Sequence, residues 1–124
     1  MIIMAPISVG ELIDKITILT IKMARITDSA KLENISKELS QLKAICNDIK
    51  CPSEICIHHT QLLKVNDELW DIEDKKRQHE REQRFDEQFI QLARQVYIKN
   101  DQRAVLKRKI NELVGSDIVE EKSY

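Results

Sequence analysis

Residues 85–115, FDEQFIQLARQVYIKNDQRAVLKRKINELVG, decide the fold. A helix start is legible at Asp86, behind Phe85, and a stop at Gly115, after Val114. Advancing about 100° per residue from Phe89, Ala93, Val96, Ile110 and Val114 share one face, as a core stripe requires. Asn100, Arg103, Lys107 and Asn111 fall on that same face. An arginine and a lysine in a core phase need carboxylate partners, or must reach water or a ligand. The spacing therefore predicts one long helix, 86–114, with a polar inward stripe, and leaves two readings of the stripe open. It is either an internal ion-pair network that fixes helix register, or the lining of a pocket for an anionic group.

The stretch just before it, residues 73–84 (EDKKRQHEREQR), has no apolar side chain, which predicts a solvated helix end and a short turn into Asp86. Upstream, Ile55, Leu62, Val65, Leu69 and Ile72 form the apolar face of a helix over 54–81, with Ser53 as its cap and Pro52 just outside. Before the break at Lys50–Ser53, Leu32, Ile35, Leu39, Leu42, Ile45 or Cys46, and Ile49 alternate by three and four, predicting a helix over 29–49. At the amino end, S-V-G-E at 8–11 reads as a capping box, with Ile7 as a possible staple. Val9, Leu12, Ile13, Ile16, Leu19, Met23 and Ile26 carry a first helix over 9–26. Ile18 and Ile21 fall on its other side, among Asp14, Lys22 and Arg25. That helix is therefore either central in the fold or in contact with a second chain.

Short linkers between these elements predict an all-α protein, a four-helix bundle-like arrangement of two antiparallel helical hairpins, forming a single domain over 1–124. Composition agrees: 33% of residues are charged, aromatics are 4%, and there are two glycines and two prolines, few for a β-rich chain. A net charge of −1 argues against general affinity for nucleic acid or an acidic membrane. No apolar run is long enough to span a bilayer, and MIIMAPI lacks the features of a secretory signal. Three cysteines leave one unpaired, which fits a reduced cytoplasmic protein.

Set antiparallel, the last two helices bring Asn66 toward Arg103 and Glu73 toward Arg94. Asn66, Trp70, Glu73, Tyr97, Asn100, Arg103 and Lys107 are then the candidate ligand-binding residues. Arg103 and Lys107 would hold a carboxylate or phosphate, Trp70 or Tyr97 would supply a wall, and Glu73 a base or acceptor. Cys51, Cys56, His58 and His59 have poor metal spacing, and no metal or other cofactor is expected. The cations between Lys99 and Lys109 read as a solvated face. E-L-W-D at 68–71 has the E-x-x-D form of a magnesium motif but no second acidic motif to complete it. The expected role is that of a non-enzymatic interaction module, with a homo-oligomer or a protein partner possible. Small-anion binding between the last two helices is the alternative.

PISVGELIDKITIL at 6–19, NDELWDIED at 66–74, ARQVYIKNDQRAVLKRKINEL at 93–113 and GSDIVEEKSY at 115–124 resemble a family of short all-helical bacterial and phage proteins known only as a domain of unknown function. The resemblance spans nearly the whole chain and is most specific at its two ends. It implies a helical domain, sometimes met alongside sugar-transfer proteins, and carries no activity or site residues. In the family pattern an acidic residue often stands where this chain has Thr20. The resemblance thus implies that an acid answering Arg103 or Lys107 from the first helix is missing. A narrower likeness, confined to ELIDKI at 11–16 and the general plan, is to helical chorismate mutases, which bind a dianion among cations inside a bundle.

Overall fold

The computed structural model describes residues 1–49 and 52–123. Among them are four helices: α1 Val9–Arg25, α2 Ser29–Asn47, α3 Ile55–Arg81 and α4 Glu87–Val114. The boundaries follow local capping chemistry. The Ser8 hydroxyl accepts from the Glu11 amide, Asp28 from the Lys31 amide, and Asp86 from the Phe89 amide, each satisfying a donor left over at a helix start. Gly115 ends α4 in the left-handed region at φ 65°, accessible to glycine without a Cβ penalty. Ser53 does not cap α3, contrary to expectation. The chain enters α3 through overlapping turns, with Ile55, Cys56 and Ile57 donating to the carbonyls of Pro52, Ser53 and Glu54. The break at Lys50 and Cys51 lies outside the described residues.

The helices form two consecutive hairpins, α1–α2 and α3–α4, joined through α1. α1 packs against α2, α3 and α4, whereas among the described residues α2 packs against α1 alone. Two apolar clusters result. Ile13 of α1 joins Ile55, Leu62, Val65, Leu69, Leu106 and Ile110. On its other flank, Leu12, Ile16 and Leu19 meet Leu39 of α2, with Ile35 and Leu42 alongside. This enclosure bears on two points of the sequence reading. Ile21 is buried, so of the two readings left open for α1 the central one fits. Asp14, assigned to the outer side, is only 1% exposed.

α3 has 27 residues and α1 has 17. At about 1.5 Å per residue, α3 outruns α1 by roughly 15 Å. The far part of the α3–α4 hairpin projects past Arg25, which marks the end of α1 by pairing with Asp67 and Asp71 of α3 at 2.8 and 2.7 Å. The hairpin tip is closed by His79, which stacks on Phe89 at 6.0 Å and lies 3.4 Å from the capping carboxylate of Asp86. Phe85 meets Phe89 edge-on.

Candidate functional site

α1 carries Gly10, Asp14 and Thr17 at i, i+4 and i+7, one stripe of a helix surface. α4 presents Arg103, Lys107 and Asn111 at a matching spacing. The two stripes meet antiparallel, and at Gly10 the helices lie close: a Cβ there would lie 2.6 Å from the Lys107 carbonyl oxygen. The Gly10 amide donates to Asn111 Oδ1 at 2.7 Å, so a first-turn donor of α1 is satisfied by α4.

The centre is Asp14. Its carboxylate accepts from Arg103 through both Nε, at 2.8 Å, and Nη2, a two-pronged ion pair. Asn66 of α3 donates Nδ2 to Asp14 Oδ1 and to Thr17 Oγ1, both at 2.9 Å, while the Thr17 hydroxyl donates to the Asp14 carbonyl at 2.7 Å. Asn100 supports the guanidinium by accepting from Arg103 Nη1 at 3.3 Å and donating to the Val96 carbonyl. Hydrogen bonding to Asp14 holds the Arg103 guanidinium above its ordinary range, against the opposing effect of burial.

One turn further along α4, Lys107 Nζ lies 2.6 Å from Glu11 Oε2 and 2.9 Å from Glu120 Oε2. Burial pulls this ammonium down, and the two carboxylates together more than offset that, leaving it raised. Glu120 also accepts from the Ser8 hydroxyl at 3.2 Å, and Glu121 lies 3.5 Å from Arg108. The segment after Gly115 is therefore held to α1 and α4 by charge. Ile118 and Val119 are 37% and 61% exposed.

Of the seven candidate residues, Asn66 and Arg103 converge on one carboxylate, Asn100 braces the Arg103 guanidinium, and Lys107 sits beside them. The other three do not join. Trp70 lies under Arg25, 5.9 Å from ring centre to guanidinium carbon. Glu73 faces Lys76, one turn on along α3, at 3.6 Å. Tyr97 is 55% exposed on the opposite side of α4. The acid thought to be missing at Thr20 is supplied from elsewhere: Asp14 answers Arg103, and Glu11 with Glu120 answers Lys107. The Thr20 hydroxyl donates to the Ile16 carbonyl. Gly10, Asp14 and Thr17 were readable as a polar stripe of small residues opposite the apolar one, the signal that the reading of α1 passed over.

No buried side-chain nitrogen or oxygen among the described residues lacks a partner. Within the basic stretch, Lys99 pairs with Glu68, Arg103 with Asp14, Lys107 with Glu11 and Glu120, and Arg108 with Glu121. Glu68 and Asp71, the carboxylates of E-L-W-D, are both turned to cations. Among the described residues no three His, Cys, Asp or Glu side chains are grouped to hold a metal ion. A groove of about 840 Å³ lies outside α4, between Arg103, Lys107 and Arg108 on the helix and Val119 to Lys122 on the tail. It is not between α3 and α4.

These features define an all-helical domain whose hairpins are locked together by a buried carboxylate–guanidinium layer. The chain belongs to the DUF6165 family, a family of unknown function, whose model matches residues 3–124. No curated protein and no solved structure matches it. No helix among the described residues is long and apolar enough to cross a membrane.

Proposed function

We propose that this chain is a non-enzymatic helical interaction module working in a reducing, cytoplasmic setting, as its odd number of cysteines suggests. The observation that carries this reading is the closure of the Asp14 layer. Asn66, Asn100 and Arg103, which could have formed a binding centre, are spent on Asp14 and on one another, and the layer joins the three helices that, among the described residues, all pack mutually. Such a layer fixes register and holds a scaffold rigid. The scaffold then offers its outer surfaces, the projecting α3–α4 hairpin and the free side of α4, to a partner. The test is a thermal-shift screen of the full chain with inorganic phosphate, sugar phosphates and dicarboxylates. The module reading expects no stabilisation beyond that of matched ionic strength.

A second reading is favoured by one observation, the groove outside α4. There Lys107 and Arg108 meet carboxylates of the chain's own tail, places an external carboxylate or phosphate would compete for. It expects a ligand-specific shift that is lost in Arg108→Ala. Arg108 is a better probe than Arg103, because removing Arg103 would strand Asp14.

A further inference from the structure

The side of α4 turned away from α1 and α3 is not a plain solvated face. Ile90, Tyr97 and Val105 are 48%, 55% and 53% exposed. At about 100° per residue, their spacings of seven and eight place them on one stripe. Arg94 and Asp101 lie on that stripe between them, both exposed. Among the described residues neither makes an ion pair or a side-chain hydrogen bond within the chain. Seven residues apart, they sit about 10 Å from each other along the axis, too far to pair. Glu87 and Arg108, also exposed, bracket the stripe; each also meets a group of its own chain, Gln91 at 2.7 Å and Glu121 at 3.5 Å, with which a second copy would compete.

These residues have a symmetry that sequence order hides. Glu87 and Arg108, Ile90 and Val105, and Arg94 and Asp101 are all placed evenly about one point, between Tyr97 and Ile98. A second α4 laid antiparallel, with a two-fold axis through that point, sets Ile90 level with the partner's Val105. It sets Arg94 level with the partner's Asp101 and Glu87 level with the partner's Arg108, each pairing occurring twice. The two Tyr97 rings flank the axis. A parallel arrangement would instead set Arg94 against its own copy and Asp101 against its own copy, so like charges would oppose it.

We propose that this face is a self-recognition surface, with α4 of a second copy packing antiparallel across it to form a two-fold dimer. The proposal rests on the module reading and names its partner. A two-fold interface must be self-complementary, and this stripe is so in both charge and apolar placement. The seam, about 30 Å long, is close to the smallest that sustains a specific complex, about 1,000 Å² in total. Association is therefore modest and weakened by salt.

Sedimentation equilibrium of the full chain, from low micromolar to several hundred micromolar at low and high salt, tests it. The wild type should dimerise reversibly, less so at high salt. R94D and D101R should each raise the dissociation constant at least about tenfold while keeping the wild-type melting temperature, since both positions are exposed. An equimolar mixture of R94D and D101R should associate again, because opposite charges then meet at both positions. A monomeric wild type, an R94D that associates like wild type, or a mixture that stays monomeric would overturn the pairing. None of these outcomes touches the module reading, which is judged by the ligand screen.

Discussion

At the residue scale, Asp14 sets the stakes. A carboxylate that is 1% exposed is tolerated only because Arg103 grips both oxygens and Asn66 adds a third donor. Arg103→Ala should cost about 3 kcal/mol in urea denaturation, the lower end of the usual range for stranding a buried charge, because the Arg103 side chain itself reaches water. Arg103→Lys should recover only part, since an ammonium cannot span both oxygens. Asp14→Leu with Arg103→Met should lose less than the sum of the two single changes, the mark of a directly coupled pair. A loss under about 1 kcal/mol for Arg103→Ala would mean that the pair behaves as a surface ion pair. His59 carries a different consequence. Burial, with the nearby charge of Lys43, lowers its imidazole below the ordinary range. The unfolded chain then binds a proton that the folded chain resists, so this residue's contribution falls as pH drops through the unfolded value near 6.5. A His59→Gln variant should show a flatter melting-temperature profile between neutral pH and pH 5. An unchanged profile would remove His59 from the account.

Among the elements, the contact of α1 with α4 is the one a single methyl can test. Helix propensity alone says that Gly10→Ala stabilises by up to about 1 kcal/mol. The contact says the reverse. The new Cβ would meet a backbone oxygen of Lys107 at 2.6 Å, which cannot rotate away as a side chain could. Overpacking should win, costing about 1–3 kcal/mol by chemical denaturation, and a stabilised variant would show that the helices separate freely. Much about the elements was legible from sequence because it is local. The capping residues Ser8 and Asp86 and the stop at Gly115 act within one turn, and the helix bounds fall within two residues of expectation. What could not be read is which side of each helix another helix covers. α4 divides its inner surface between α3, through Leu106 and Ile110, and α1, through Arg103 and Lys107. A single stripe centred on Phe89 therefore merged two faces. Leu106 was left out of it although buried, and Ala93 was put in although exposed. Asp14 looked external because Lys22 and Arg25 share its side of α1, and only the arrival of both α3 and α4 encloses it. Trp70, Glu73 and Tyr97 were grouped by hairpin register alone, which ignores which way each turn faces.

For the molecule as a whole, the carboxyl segment is an electrostatic clasp rather than an apolar one. Glu120 and Glu121 touch Ser8, Lys107 and Arg108, while Ile118 and Val119 stay largely exposed. Raising ionic strength should loosen it, and Glu120→Gln should weaken it at low salt. Limited proteolysis near Lys122 would report both, and a cleavage rate indifferent to salt would count against the clasp. The unequal sharing of contacts has a further consequence. Among the described residues α2 is covered by a single helix, and only Leu39 on it is buried, whereas α1, α3 and α4 support one another. A transient opening that peels α2 away leaves the other three and the Asp14 layer intact. Amide protons of α2 should therefore exchange with deuterium through a cheaper route than those of α1 or of the middle of α3. In each such excursion Leu12, Ile16 and Leu19 would face water together, a sticky strip displayed briefly by a chain that is otherwise native.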